Sequence, residues 1–159
     1  DRIEAGSYAL ATAITGGTVE LYNIDKNIFY GIHNELANIG INIKNSYKGV
    51  VVEAKRELLK PTDITTAEYP GMPTDLQAQF MALLATIPSN SSANEVIFEN
   101  RFMHVAELNK MGANIAINDD NKIANIYGVN KFTATAVSAT DLRAAFALVM
   151  AGLFADGVT

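Results

Sequence analysis

Three segments of this chain open on an aspartate and then run apolar almost all the way round a helix: DRIEAGSYALATAI (1–14), PTDLQAQFMALLATI (73–87) and ATDLRAAFALVMAGL (139–153). Aligned without gaps, they set Asp1, Asp75 and Asp141 at one position, Leu10, Leu84 and Met150 at another, and Ala11, Ala85 and Ala151 beside them. A helix with no polar face has to be covered on every side. Such a chain is therefore built inside out, with apolar helices at the centre and sheets and amphipathic helices around them. A second pair of segments, ELANIGINI (35–43) and ELNKMGANI (107–115), recurs 72 residues on, so the chain is a repeat protein with one unit of about seventy residues.

The periodicity changes in a fixed order within a unit. After the apolar helix come turn residues (Gly16 and Gly17; Ser89 to Ser92), then a strand such as TVELYN (18–23) or NEVIFE (94–99). A second helix follows, with Phe29, Ile32, Leu36 and Ile39 at helical spacing. Gly40 and Gly112 stand where a left-handed helix end suits glycine. Two strands close the unit: INIKNS (41–46) and GVVVEA (49–54) in the first copy, NIAIND (114–119) and KIANIYG (122–128) in the second. With TDITTAEY (62–69) and FTATAVS (132–138) as strands before the later apolar helices, the unit is βαβαββ and the fold class α/β (α+β). The predicted units are 1–60, 61–130 and an incomplete third, 131–159. The chain opens without methionine and stops on FADGVT, where a strand is starting, so both ends read as cut. The broken third unit predicts uncovered apolar surface and, with it, self-association.

At 159 residues and 49% hydrophobic content the chain can bury a substantial core. A formal charge of −5 without a Lys/Arg cluster argues against a nucleic-acid partner. No apolar run reaches the roughly 20 residues that cross a bilayer, and no secretory leader precedes the first helix. The absence of cysteine removes disulfides, thiolate zinc sites and thiol nucleophiles from this chain and fits the cytoplasm. No metal is expected: His33 and His104 lack a ligand at metal spacing and read as structural, and the Asp119–Asp120 pair lacks the spaced oxygens of a calcium loop.

Thr74 and Gln77 have capping-box spacing, and Thr140 is placed to cap the third helix. If rotation relates the units, the positive ends of the apolar helices gather at one end of the molecule with their Asp and Arg residues. Taken alone, Asp75 reads equally as a first-turn acid favoured by the helix dipole or as a functional group, and Asp141 with Arg143 as a local pair.

The segments DRIEAG, PTDLQAQF, FENRFMHVAEL and ATDLRAA resemble, in order and along the whole chain, motifs of the enolpyruvyl transferase family, in its UDP-N-acetylglucosamine 1-carboxyvinyltransferase branch. The sister branch, 5-enolpyruvylshikimate-3-phosphate synthase, shares the repeat but is not similar at FENRFMH. The resemblance implies an inside-out α/β barrel of βαβαββ units, of which this chain is most of one domain, with the active site in a cleft between two domains. It implies enolpyruvyl transfer from phosphoenolpyruvate to UDP-N-acetylglucosamine, in bacterial peptidoglycan synthesis, without a cofactor. By the same resemblance Asp75 is a candidate general base, and Ile97 and Phe98 lie in the loop that holds the nucleotide sugar. Arg101, Asp141 and Arg143 line the cleft, Asp141 and Arg143 as candidate catalytic groups, and Asp1 and Arg2 sit at the domain junction. The family's proton-donor loop, its Lys-Asn pair and further arginines fall outside this chain, so the fragment alone is expected to be inactive. The alternative is a non-catalytic binding or scaffolding domain on the same repeat. The presence of Asp75, Arg101, Asp141 and Arg143 weighs against it, since a scaffold needs only the buried helices.

Overall fold

The computed structural model describes residues 1–158. Helix α1 (Arg2–Thr15) starts at Asp1, whose Oδ1 accepts the Ile3 and Glu4 N–H groups at 2.6 and 3.3 Å. It leads into an antiparallel sheet in the order β1 (Gly17–Tyr22), β3 (Gly49–Ala54), β2 (Asn42–Asn45). Between β1 and β2 runs a 3-10 segment (Lys26–Ile32) continuing as α2 (His33–Ile39). Phe29, Ile32, Leu36 and Ile39, spaced as the sequence predicts, are all buried. Gly40 ends α2 at φ 104°, in the left-handed region, and Gly112 takes φ 98° at the matching place in the second copy.

The next sheet has the order β4 (Ile64–Thr65), β5 (Asn90–Asn94), β7 (Ile123–Tyr127), β6 (Ile115–Ile117). Its parallel pair, β4 and β5, is connected through α3 (Gln77–Leu84), and α4 (His104–Lys110) lies between β5 and β6. A last crossover repeats the pattern: β8 (Phe132–Thr133), α5 (Leu142–Gly152), then β9 (Ala155–Asp156) parallel to β8. The elements from β4 to β7 thus follow the order βαβαββ.

Helix α3 packs against both α1 and α5, and every one of its eight residues is buried. That includes two glutamines. Gln79 donates from Nε2 to Ser7 Oγ of α1 at 3.2 Å, and Gln77 finds a carboxylate described below. Far from the N-terminal ends of these helices, Arg56 collects their C-terminal ends. It donates to the Ile14 carbonyl (3.1 Å), to Thr86 Oγ1 (3.2 Å) and to the Thr86 carbonyl (2.7 Å), and lies 4.1 Å from the centre of the Phe154 ring just beyond α5. A cation there meets the negative ends of the helix dipoles. Burial lowers its pKa from the ordinary arginine value.

Three expectations are corrected. NEVIFE is not a strand. The ladder runs over Asn90–Asn94, through residues expected to turn, and stops where the Glu95 side chain folds inward. The capping box at Thr74 does not form, because Pro73 starts a 3-10 turn (Thr74–Leu76) without a side-chain cap; at α5 the cap is Asp141, accepting from the Ala144 N–H at 2.9 Å, and not Thr140. Finally, α5 is apolar all round but not covered all round. Ala144, Ala147, Leu148 and Ala151 are buried, whereas Leu142, Phe146, Val149 and Leu153 are exposed. The last two border an open apolar cavity of about 650 Å3 with Val137 and Val158.

Candidate functional site

Asp1 and Asp141 cap α1 and α5 in the same way, and each carboxylate is largely spent on backbone N–H groups. Asp75 differs. It sits inside the 3-10 turn ahead of α3, caps nothing, and leaves its side chain 57% exposed. Its charged neighbour is Arg101, Nη1 to Oδ1 at 3.8 Å. Ion pairs this open contribute ~0–1 kcal/mol, so the pair leaves the carboxylate available to a ligand. Arg101 is held by its other face: the guanidinium carbon lies 4.4 Å from the centre of the Phe98 ring.

Ile97 and Phe98 belong to the loop after β5. Their N–H groups donate to Glu95 Oε1 at 2.9 and 3.2 Å. The loop can therefore offer a ligand the Ile97 carbonyl and the half-exposed Phe98 ring, but not these N–H groups. A cavity of about 370 Å3 separates the loop from the Asp120–Lys122 turn, and Asn121 Nδ2 bridges it to Asn100 Oδ1 at 3.1 Å.

Three residues past Arg101, His104 begins α4 and is 2% exposed. It neighbours the Arg143–Asp141 pair, which closes at 2.9 Å. Burial raises the Asp141 carboxyl, but the Ala144 N–H and the Arg143 guanidinium outweigh it and hold the group below the ordinary aspartate range. Burial depresses His104 from 6.5 to about 4, and the Arg143 charge adds to this against the opposing effects of Asp141 and the Arg101 backbone. The imidazole is thus neutral near pH 7, and neither His104 Nε2 nor Arg143 Nη1 has a hydrogen-bond partner within the described protein.

The sign of the linkage follows. Between pH 6.5 and about 4 the unfolded imidazole binds a proton that the folded one refuses. Stability from this group is whole above pH 6.5 and is expected to fall by roughly 3 kcal/mol in all as pH drops through about 4. Urea midpoints measured across that range should show the loss, and His104→Phe should flatten it.

On the other side of the Asp75 turn, Arg2 lies 5.0 Å from the centre of the Tyr69 ring and shares a cleft of about 210 Å3 with Tyr30, Pro73 and Leu76. The helix starts therefore do gather. Asp75, Phe98 and Arg101 form one cluster; His104, Asp141 and Arg143 form a second, joined to it through the short Arg101–His104 link; Arg2 stands across the turn. Among the described residues no group of three or more His, Cys, Asp or Glu could hold a metal ion, and no helix is long and apolar enough to cross a membrane. The residue that sequence reasoning missed is Glu95, 2% exposed and joined to both sides of the Asp75 cluster. Its signal was a lone acid inside the apolar run ANEVIF, which alternation had assigned to the wet face of a strand.

A buried helix flanked by parallel strands, with an exposed carboxylate at its start and a stacked arginine opposite, defines the chain as one repeat-built portion of a cleft enzyme. The family model of EPSP synthase (3-phosphoshikimate 1-carboxyvinyltransferase) matches residues 1–159, and the chain belongs to that family, the enolpyruvyl transferases. It is 46% identical over 159 residues to the UDP-N-acetylglucosamine 1-carboxyvinyltransferase of Xanthobacter autotrophicus, covering 100% of this chain and 37% of that protein. It is 48% identical over 160 residues to UDP-N-acetylglucosamine 1-carboxyvinyltransferase 2 of Carboxydothermus hydrogenoformans, covering 100% and 38%. Among solved structures, the enolpyruvyl transferase NikO from Streptomyces tendae superposes with a TM-score of 0.84 at 22% identity, over 98% of this chain and 37% of that one. The EPSP synthase of Acinetobacter baumannii gives 0.67 at 14%, over 95% and 37%. The chain thus spans little more than a third of the length of these relatives.

Proposed function

We propose that the protein carrying this chain transfers the enolpyruvyl group of phosphoenolpyruvate to the 3-hydroxyl of UDP-N-acetylglucosamine, releasing phosphate, as the first committed step of bacterial peptidoglycan synthesis in the cytoplasm. The observation that carries this reading is the Asp75 carboxylate, uncapped and exposed at the start of a wholly buried helix, facing an arginine stacked on Phe98. Asp75 accepts the hydroxyl proton as the sugar oxygen bonds to C2 of the enol and C3 takes up a proton. Phosphate then leaves C2 as C3 gives a proton back, restoring the double bond. Asp141 and Arg143 act as a fixed charge pair at the edge of the same site, and the Ile97 carbonyl and Phe98 ring hold the nucleotide sugar. Arg101 steadies Asp75 and meets negative charge in the substrates, while Asp1 and Arg2 lie at the junction with the partner domain. No cofactor takes part.

With only one wall of a cleft, the 159-residue chain is expected to bind UDP-N-acetylglucosamine weakly or undetectably and to release no phosphate. Each 1.4 kcal/mol of missing contact weakens binding about tenfold. The test is phosphate release from phosphoenolpyruvate, dependent on UDP-N-acetylglucosamine, by the full-length protein and by the chain alone. A full-length protein that releases none would sink the reading; a chain that releases phosphate by itself would show that the site is complete within it.

A further inference from the structure

The Glu95 carboxylate is buried without a cationic partner among the described residues, yet every donor round it is neutral and directed. Oε1 accepts from Thr66 Oγ1 (2.9 Å) and from the Ile97 and Phe98 N–H groups (2.9 and 3.2 Å). Oε2 accepts from Thr74 Oγ1 (2.7 Å) and Gln77 Nε2 (3.2 Å). The Thr66 hydroxyl in turn accepts the Val96 N–H at 3.0 Å, closing a ring around the carboxylate. Five hydrogen bonds satisfy a charge that burial alone would disfavour.

The two oxygens face different walls. One holds the loop that presents Ile97 and Phe98; the other holds Thr74 and Gln77, which bracket Asp75. We propose that Glu95 is a positioning residue: it fixes the distance between the loop that grips the nucleotide sugar and the turn that presents the general base. The proposal rests on the functional reading above. Glu95 itself touches no substrate, since both its oxygens are occupied and it lies beneath the cleft.

The experiment compares Glu95→Asp with Glu95→Gln in the full-length protein, measuring UDP-N-acetylglucosamine affinity by calorimetry, KM for each substrate, kcat, and the thermal midpoint. Glutamine keeps the length. Its oxygen can take the two loop N–H groups, while the Thr74 hydroxyl reverses and Gln77 turns its amide, whose Oε1 is buried without a partner. Affinity within about threefold of wild type is expected. Aspartate draws the carboxylate back by about 1.5 Å, one C–C bond, and cannot reach both walls. Kd and KM for the nucleotide sugar should rise on the order of tenfold or more, with KM for phosphoenolpyruvate nearly unchanged, because misplacement of this size costs steeply in oriented sites.

A Glu95→Asp protein that melts earlier but, while folded, binds the nucleotide sugar like wild type would overturn the proposal and leave Glu95 a stabilising group only. Equal loss in both variants, for both substrates, would overturn it too. If wild type itself binds no UDP-N-acetylglucosamine, the functional reading fails. Amide exchange at Ile97 and Phe98 then decides the clamp, faster in Glu95→Asp if it stands and unchanged if it does not.

Discussion

In the full-length protein, Asp75→Asn is expected to fold like wild type and to turn over roughly 10²–10⁴ more slowly, the scale of one general acid–base group. Both halves of that expectation come from where the residue sits. Asp75 caps no helix, its side chain is more than half exposed, and its ion pair with Arg101 is 3.8 Å long, so little folding energy depends on its charge. Asparagine still offers a hydrogen-bonding oxygen to a sugar hydroxyl but cannot take its proton. The loss should therefore fall on kcat more than on KM for the nucleotide sugar. Steady-state phosphate release over a range of both substrates measures this, and an unaltered turnover would move the chemistry to another residue. Asp141 makes the contrast: its carboxylate caps α5 and pairs with a mostly buried Arg143, so the same change there costs stability as well.

Phe80→Ala is expected to be the most damaging of the core truncations, at ~3–5 kcal/mol. Phe80 is fully buried in α3, the helix between α1 and α5, and its helical neighbours Leu76, Leu83 and Leu84 are themselves buried to within 1%. No side of this helix faces solvent, so the site cannot collapse outward to fill the space. Urea unfolding of the 159-residue chain reads the effect as a lower midpoint at unchanged slope. A loss below 1 kcal/mol would mean that α3 is less enclosed than its burial indicates.

What could be read in the sequence was the part that local pattern governs. The apolar run of α3, the helical spacing from Phe29 to Ile39, and the left-handed Gly40 and Gly112 each follow from residues within a turn or two of one another. The polar centre could not be read that way. Thr74 and Gln77 looked like a capping box because the partner that takes both, Glu95, lies 21 and 18 residues further on. The same carboxylate ended β5 early and turned NEVIFE into a loop, since a buried acid with five donors outweighs strand alternation. Helix α5 misled for the opposite reason: an all-apolar surface states what a helix needs, not which neighbours supply it. The reading of Asp75 and Arg101 as site residues came from the resemblance of PTDLQAQF and FENRFMH, because spacing alone left Asp75 as plausible a first-turn acid as a base.

The four residues Thr74 to Gln77 point four ways. Thr74 and Gln77 reach Glu95 from two positions, Asp75 faces the cleft, and Leu76 enters the core so tightly against α1 that a Cβ on Gly6 would lie 2.6 Å from its Cδ1. One residue added or removed ahead of this stretch rotates it by about 100°, carrying Leu76 toward water and a carboxylate toward α1. Substitutions here can be graded, but insertions and deletions cannot, so length variation among relatives should gather in the loops beyond Pro73 and never within the turn itself.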